Sequence, residues 1–292
     1  RIGILNFLNE IIMLRTYKLH DIENYQAVLE QVSQFITEVI AEQKVALEQI
    51  VGVAIGIPGF IDYEGGIVYH SNQLGWDNVP IVKIVEEHTK LRVICDNDLK
   101  MKAMAEYVCG AAKSSRSSVL IGVGSGIGSA IIMNGEFYRG ENNIAGEISH
   151  TVVDINGELC RCGKFGCLST IVTERAILKQ AQKVKDIDTI EELISCYKQG
   201  ETWAINILDR VTTYIAATIS NLFYIYNPEV LVLSGSIFED YHDIQVLFEK
   251  KYKLYLTEPF KQQSKIAFAK LGDGGIVMGA GIQAQKVLFE LN

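Results

Sequence analysis

The sequence contains no uninterrupted apolar run of about 18 residues, so no membrane-spanning helix is predicted. It also lacks a basic excess: 27 Lys and Arg stand against 35 Asp and Glu, which gives a formal net charge of −8. Neutralising nucleic-acid phosphates requires clustered Lys and Arg, so we do not expect this chain's own surface to bind nucleic acid. Only four prolines occur and no Pro- or Ser-rich linker is present. Any domain border is therefore predicted to lie inside packed structure.

The N-terminus lacks a charged segment, an apolar core and a small-residue cleavage site in sequence, so no signal peptide is predicted. Arg1 is not an initiator methionine, and a strand-like pattern starts at once; we expect the chain to be a fragment of a cytoplasmic protein. Without a secretory signal, the six cysteines do not predict a disulfide framework. Cys95, Cys109 and Cys196 lie among apolar residues and are interpreted as core thiols.

Apolar strands alternate with helices along the chain, which predicts an α/β fold. Apolar residues at helical spacing predict a helix from Tyr25 to Gln43, and the region from Ser169 to about Gln199 is predicted to be helical. The stretch "SSVLIGVGSGIGSAIIM" predicts a hairpin of two strands around a glycine-rich turn. The stretch "GGIVMGAGIQAQKVLFE" predicts a closing helix.

One histidine and three cysteines are gathered in "HTVVDINGELCRCGKFGC", with the spacing His-x9-Cys-x-Cys-x4-Cys. Three thiolates and one imidazole suit tetrahedral zinc, and a set of four with no vacant position suits a structural site. Gly163 and Gly166 allow the tight turns that ligands so close in sequence require. Unconnected thiols and a Cys-x-Cys redox pair are the alternatives.

Polar residues end a predicted strand in "LRVICDNDLK". The carboxyl ends of strands face the ligand crevice in an open α/β sheet, so Asp96 or Asp98 could serve as a general base for a hydroxyl group. The alternative is that these residues form a helix N-cap, where Asn and Asp are favoured.

A second candidate is the glycine-rich stretch "GVGSGIGSA". Its glycines allow backbone amides to approach a phosphate. It is neither a Walker loop nor a dinucleotide fingerprint, because no Lys-Ser/Thr follows and a strand follows instead of a helix. A plain structural hairpin is the alternative interpretation.

Further candidate ligands are scattered through "GIPGFID", "HSNQLGWDN" and "AGEISH". Pro58-Gly59 predicts a tight bend after a buried strand. Asn72, Trp76, Glu147 and His150 are polar or aromatic groups of the kind that bind sugar hydroxyls. His150 could bind a metal, a ligand or both.

The order of these motifs resembles the ROK family (repressors, open reading frames and sugar kinases), from "GVAIGIPGFID" to "GGIVMGAG". The most specific part is "AGEISH" followed by "CRCGKFGCLS", which is similar to the family's Gly-Glu-x-x-His and Cys-x-Cys-Gly-x-x-Gly-Cys-Leu segments. The resemblance implies an actin-like, ribonuclease-H-like ATPase fold with two lobes and a ligand cleft between them. We expect a smaller N-terminal lobe over residues 1–108, completed by the C-terminal helix 276–292, and a larger lobe over 109–275 with the zinc loop.

The resemblance also implies roles for individual residues. Asp98 corresponds to the general base of the kinases, and ATP with Mg²⁺ would be needed only if this chain is a kinase. The implied structural zinc ligands are His150, Cys160, Cys162 and Cys167. The implied sugar ligands are Gly59, Asn97, Asp98, Glu147 and His150, and Asn72 remains a further candidate sugar ligand because of its polar side chain. The implied, vestigial phosphate loop comprises Gly124, Ser125, Gly126 and Gly128.

Departures from the family pattern favour a sensor over an enzyme. The first phosphate loop, Asp-x-Gly-Gly-Thr, is absent from the sequence, and Ser169 and Lys100 replace a usual Glu and Asn. Phosphoryl transfer depends on phosphate loops and a metal that hold ATP in line with the hydroxyl. We therefore expect the effector-binding domain of a ROK-type repressor that senses a monosaccharide or sugar phosphate. We expect it to form a homodimer and to reach DNA through a winged helix-turn-helix part outside this chain. A sugar kinase and a ligand-free scaffold are the alternatives.

Overall fold

A computed structural model describes residues 1–289, which form two compact units. Unit 1 comprises residues 1–114, residues 136–145 and the C-terminal segment from Lys270. Unit 2 comprises residues 115–135 and 146–269. Residues 290–292 of the predicted closing helix lie outside the described residues. No helix within residues 1–289 is both long enough and apolar enough to cross a membrane.

The described part of unit 1 contains short sheets and four α-helices. A hairpin pairs β1 with β2, β3 pairs in parallel with β7, and β4, β5 and β6 form an antiparallel sheet. The strands are β1 (Ile2–Leu5), β2 (Ile11–Arg15), β3 (Val53–Ile57), β4 (Phe60–Asp62), β5 (Ile67–Ser71), β6 (Trp76–Val79), β7 (Val93–Asn97) and the short β10 (Glu136–Phe137). The helices are α1 (Tyr25–Glu42), α2 (Ile81–Thr89), α3 (Asp98–Val108) and α11 (Gly275–Ala284), which continues as a π-helical turn over Gln285–Phe289.

Helix α1 illustrates how the sequence determines these elements. The side chain of Asn24 caps the helix by accepting a hydrogen bond from the Ala27 N–H. Apolar residues at helical spacing then bury one face of α1 in a core that also contains Trp76 and Ile81. The predicted helix from Tyr25 to Gln43 is confirmed to within one residue.

The parallel pair β3–β7 positions the candidate ligands of unit 1. Its register runs from Val53 opposite Val93 to Ile57 opposite Asn97. Both strands therefore end at the same edge, where β3 leads into Pro58-Gly59 and β7 leads into Asp98. Side chains at the carboxyl ends of neighbouring parallel strands are well placed to act together.

Unit 1 also contains a cavity of about 480 Å³ between β1 and β3. Helices α1 and α11 complete its walls, mainly with Val, Ile and Ala side chains. Such a lining offers few partners for hydroxyl groups, so this cavity does not suit a sugar. The candidate sugar ligands predicted from the sequence are not among the residues that line it.

Unit 2 is built on a sheet with the strand order β9-β8-β11-β12. Its strands are β8 (Ser117–Val123), β9 (Ile127–Met133), β11 (Val230–Ser234) and β12 (Lys265–Phe268). Its helices are α4 (Ser169–Val172), α5 (Glu174–Ala181), α6 (Ile190–Lys198), α7 (Thr202–Tyr226), α8 (Ser236–Glu239), α9 (His242–Lys251) and α10 (Phe260–Gln263). Helix α7 buries a long apolar face in the main core of this unit.

The predicted pattern of strands and helices is confirmed in most of the chain, with two differences. The hairpin β8–β9 forms as predicted, with Val123 opposite Ile127. The region predicted to be helical from Ser169 to about Gln199 consists of three helices with breaks between them, because Thr173 and Thr189 cap new helices within it. The sheet β4–β5–β6 was not predicted, since its short strands carry little apolar alternation.

Candidate functional site

The predicted His/Cys3 cluster is assembled in unit 2. The ligand atoms of His150, Cys160, Cys162 and Cys167 all lie within 4.8 Å of one another. Cys160 Sγ is 3.6 Å from His150 Nδ1, and Cys162 Sγ is 3.6 Å from Cys167 Sγ. Tetrahedral zinc, with bonds of about 2.0–2.3 Å, places its ligand atoms about 3.3–3.8 Å apart. These four residues could therefore hold a metal ion.

Backbone turns bring the cluster together. The Gly163 N–H donates to the Cys160 carbonyl (2.9 Å), and the Cys160 N–H donates to the Lys164 carbonyl (2.8 Å). Gly166 has a φ of +69°, and a Cβ there would lie 1.5 Å from the Asp154 carbonyl oxygen, so only glycine fits. The sequence prediction of tight turns at Gly163 and Gly166 is confirmed.

The thiols of the cluster are unequal in their chemistry. Burial raises the pKa of the Cys160 thiol, but hydrogen bonds from the Cys162 backbone and the Ser169 hydroxyl outweigh burial and lower the pKa to about 6. Burial and the neighbouring Cys162 raise the pKa of Cys167 to about 12. The cluster thus favours one thiolate even by itself, and a cation would favour the others.

Only one ring nitrogen of His150, Nδ1, is directed at the cysteines. Nδ1 faces Cys160, so a metal would bind at Nδ1, and Nε2 lies on the opposite side of the ring. Glu147 precedes the short 3₁₀ turn that carries His150, and its side chain is exposed. The double role considered for His150 is thus compatible with its orientation.

Ser169, where the family resemblance expects a glutamate, lies beside the cluster. Its hydroxyl is 3.6 Å from Cys160 Sγ, within the range of hydrogen bonds to sulfur. The side chain therefore supports a cysteine in place of the expected carboxylate.

In unit 1, the turn between β7 and α3 brings three of the predicted ligands together. Asn97 caps α3 by accepting from the N–H groups of Leu99 (3.0 Å) and Lys100 (3.2 Å). Its Nδ2 donates to the Gly59 carbonyl (3.1 Å) and so joins this turn to the Pro58-Gly59 bend. The N-cap interpretation and the grouping of Asn97 with Gly59 are thus compatible, because one side chain does both.

Asp98 is the first residue of α3. Burial raises the pKa of its carboxyl above the usual value, and the hydrogen bond from the Leu99 N–H (2.8 Å) only partly offsets this. A carboxyl with a raised pKa at a strand end is suited either to accept a proton or to bind a hydroxyl group.

A buried ionic network that the sequence analysis did not predict supports this turn. Asp96 is fully buried, and its Oδ2 accepts from Arg139 Nη1 at 2.6 Å. Lys100 Nζ is 3.9 Å from Asp96 Oδ1 and donates to the backbone carbonyl and to Oδ1 of Asn143, each at 2.7 Å. The guanidinium of Arg139 lies 4.1 Å from the ring centroid of Tyr63. The one indication of this network in the sequence was Lys100, which stands where the family resemblance expects Asn.

Asn72 and Trp76, the two other candidate sugar ligands of unit 1, lie in different environments: Asn72 is exposed and Trp76 is buried. Asn72 is exposed, and its Oδ1 accepts from His70 Nε2 at 3.0 Å. The other nitrogen of His70 is 2.6 Å from Asp77 Oδ1. Trp76 lies in the core, and its Nε1 donates to the Ile22 carbonyl. This burial contradicts the suggestion that Trp76 is a sugar ligand.

The predicted phosphate loop forms the turn between β8 and β9 in unit 2. The Gly124 N–H donates to the Gly126 carbonyl (2.8 Å), Ser125 is exposed at the tip, and Gly128 pairs with Gly122. The glycines thus form a tight hairpin turn.

The sequence matches the ROK family over residues 9–287. The chain belongs to the ROK family. A glucokinase of Halalkalibacterium halodurans is 31% identical over 248 residues, which are 80% of this chain and 75% of that protein. The DNA-binding transcriptional dual regulator NagC of Escherichia coli is 30% identical over 223 residues, which are 73% of this chain but only 54% of NagC.

A solved structure shows the same architecture. The ROK hexokinase from Thermus thermophilus superposes with a TM-score of 0.80 at 25% identity, over 91% of this chain and 88% of that one. The protein thus has the actin-like, ribonuclease-H-like ATPase fold that the sequence predicted. Its relatives include both sugar kinases and repressors, so family membership leaves the activity open.

Proposed function

We propose that this chain is the effector-binding domain of a ROK-type transcriptional repressor that senses a monosaccharide or sugar phosphate. The similarity to NagC supports this proposal, and the chain spans about half of that regulator. DNA binding would reside in a winged helix-turn-helix part outside these 292 residues. The net charge of −8 is consistent with such a division of labour.

In unit 1 the proposed sugar ligands are Gly59, Asn97 and Asp98, with Asn72 as a further candidate. The hydrogen bond from Asn97 Nδ2 to the Gly59 carbonyl fixes both groups, and the capped start of α3 fixes Asp98. Ligand groups held in advance lose little entropy on binding. A carboxylate and an amide offer the acceptors and donors that sugar hydroxyls need.

In unit 2 the proposed sugar ligands are Glu147 and His150. We propose that the His/Cys3 cluster holds one structural zinc ion, bound by Nδ1 of His150 and the three cysteine sulfurs. When bound, zinc would fix the His150 ring and so direct Nε2 away from the metal. Glu147 is three residues away and would be positioned by the same short turn.

One observation carries the choice of sensor over kinase. The two residues that depart from the family pattern near the proposed sugar ligands, Lys100 and Ser169, are engaged in structural contacts. Lys100 holds Asn143, and Ser169 contacts Cys160. Removing one well-placed group from an active site commonly costs a factor of about 10²–10³ in rate, so these two departures weigh against a kinase.

A sugar kinase is the second candidate, and Asp98 favours it. Its raised pKa and its correspondence to the family's general base suit the deprotonation of a sugar hydroxyl. A coupled ADP-release assay on the full-length protein tests this candidate. Turnover of about 1 s⁻¹ or faster, abolished by Asp98→Asn, would establish a kinase and overturn the sensor proposal.

Thermal shift with a panel of monosaccharides and sugar phosphates tests the sensor proposal directly. A ligand at about 100 times its Kd stabilises the native state by about 2.7 kcal/mol. We expect a shift with at least one panel member, reduced in Asp98→Asn and unchanged in Glu42→Gln, which alters an exposed carboxylate of unit 1 that pairs with Arg15. A panel at millimolar concentration that gives no shift would contradict the proposal.

We further propose a homodimer, since operators read by such regulators consist of paired half-sites. Helix α7 buries most of its apolar residues within unit 2, but Ile225 near its end is 69% exposed. Light scattering at high concentration should give the mass of two chains. A monomer mass throughout would contradict this part of the proposal.

A further inference from the structure

Two glycine turns of unit 2 lie against each other. One is the turn between β8 and β9, which contains Gly124, and the other follows β11 at Gly235. A Cβ built on Gly124 would lie 2.6 Å from the Ser236 hydroxyl oxygen and 3.5 Å from the Ser236 backbone nitrogen. Glycine turns in contact, with backbone amides and hydroxyls nearby, are the kind of structure that binds phosphate groups in many proteins.

Here Glu174 connects the two turns. Glu174 is the first residue of α5, and its backbone N–H donates to the Gly124 carbonyl at 2.9 Å. One oxygen of its side chain accepts a hydrogen bond from the Ser236 hydroxyl. Glu174 therefore bridges both turns, with its backbone on one and its side chain on the other.

A second carboxylate, that of Glu239, bonds to the same turn after β11 as the Glu174 side chain does. Glu239 Oε1 accepts from the Ser234 hydroxyl and from the Gly235 N–H, each at 2.7 Å. Ser234 is fully buried. Three donors that face this region thus bond to carboxylates of the chain itself: the hydroxyls of Ser234 and Ser236 and the N–H of Gly235.

The charge around the turns has the same sign as a phosphate. Tyr241, close by, has a raised pKa because it is buried and because Glu191, Glu174 and Asp240 disfavour its ionisation. A polyphosphate that approached Gly124 would meet these negative charges and would have to displace hydrogen bonds that the carboxylates already hold.

We propose that Glu174, with Glu239, excludes nucleoside triphosphates from the glycine turns and so determines that this chain does not bind ATP. The two carboxylates occupy the hydrogen-bond donors that a phosphate would use. This inference deepens the proposed sensor function and rests on it for its biological meaning. It concerns only residues within unit 2.

Charge-neutral variants test the proposal, because glutamine keeps one accepting oxygen, removes the negative charge and replaces the second oxygen by an NH2 donor. The variants are Glu174→Gln, Glu174→Gln/Glu239→Gln and the control Glu191→Gln. Glu191 accepts from Tyr241 at 2.9 Å, whereas Glu174 and Glu239 accept from the donors of the turn after β11, so the Glu191 variant removes a nearby charge and leaves those hydrogen bonds intact. The probes are Mg·ATP and inorganic tripolyphosphate, titrated calorimetrically to about 20 mM, a range that detects millimolar affinity.

We expect no saturable binding of either probe to the wild-type protein. Glu174→Gln should bind tripolyphosphate at least about tenfold more tightly, and the double variant more tightly still, because like charge close to the anion is removed. Glu191→Gln should change affinity by less than about threefold, since Glu191 accepts from the Tyr241 hydroxyl and not from a donor of the turns. Wild-type binding of Mg·ATP with a Kd below about 0.1 mM, or a double variant no better than Glu191→Gln, overturns the proposal.

Sugar thermal shift on the same variants separates this inference from the proposed function. We expect the shift produced by the best sugar to be the same in wild type and in Glu174→Gln. If no sugar binds but the glutamine variants gain polyphosphate affinity, the sensor proposal fails and the exclusion by Glu174 stands. If sugar binds and the variants gain nothing, the exclusion fails alone.

Discussion

Replacing Arg139 should destabilise unit 1, because the buried carboxylate of Asp96 would lose its closest cationic partner. Arg139 is the closest cationic partner of Asp96, at 2.6 Å, and Asp96 is fully buried. Breaking a buried pair by removing one partner costs about 3–5 kcal/mol, because the remaining charge is left uncompensated. Asp96 keeps Lys100 at 3.9 Å and the Asn97 N–H at 2.8 Å, so we place the loss for Arg139→Met at the lower end, about 2–4 kcal/mol.

The two tryptophans allow each unit to be followed separately. Trp76 lies in the core of unit 1, and Trp203 lies on α7 in unit 2. In a Trp203→Phe background, urea unfolding followed by fluorescence reports unit 1 alone. A loss of about 3 kcal/mol corresponds to a fall in Tm of roughly 6–12 °C for a unit of this size.

Arg15→Met in the same background is the matched control. Arg15 pairs with Glu42 at 2.7 Å, in the same unit, but both side chains are about half exposed. Water and salt screen such a pair, so we expect little change in the urea midpoint. The reasoning is refuted if Arg139→Met shifts the midpoint no more than Arg15→Met does, because burial would then make no difference.

Three further predictions address the candidate sites. Elemental analysis of protein never exposed to chelator should find about one zinc per chain, and Cys162→Ser should lose it; protein without zinc would contradict the metal assignment. Asp98→Asn should melt at a higher temperature than wild type at pH 7 and lose this advantage towards pH 4. A carboxyl whose folded pKa is raised is destabilising once pH rises through that pKa, so an unchanged difference across pH would refute the burial argument. Gly59→Ala should lower the free energy of unfolding by about 1–3 kcal/mol, since φ is +128° and the new Cβ would lie 2.4 Å from the His70 carbonyl oxygen. The control Gly200→Ala, with φ of +80° and open space around it, should lower the free energy of unfolding in urea by less.

The cysteine cluster was predictable because its ligands are close in sequence. The spacing of His150, Cys160, Cys162 and Cys167 limits how far apart the side chains can lie, and glycines mark the turns that bring them together. The strand ends were predictable for a similar reason, since β3 and β7 read as apolar runs followed by Pro58-Gly59 and by Asp96-Asn97-Asp98. Local pattern was enough in both cases.

Contacts between distant residues were not predictable in the same way. Arg139 reaches Asp96 across 43 positions of sequence, and Asn143 donates to the Ile61 carbonyl across 82. No periodicity encodes such pairs, because each depends on where the segment of residues 136–145 lies within unit 1. The same holds for Glu174 and Ser236, which are 62 positions apart.

Lys100 shows how a departure from a family pattern gains meaning only in three dimensions. In sequence it replaces the asparagine that the family resemblance expects, and this departure was counted in favour of a sensor. In the structure it is buried, and its ammonium group is held by Asn143 and lies 3.9 Å from Asp96. A buried ammonium is costly unless it is paired and hydrogen-bonded, so this position is maintained by the network around it. Because Asp96, Asn97 and Asp98 are consecutive, the same network supports the turn that carries the proposed sugar ligands.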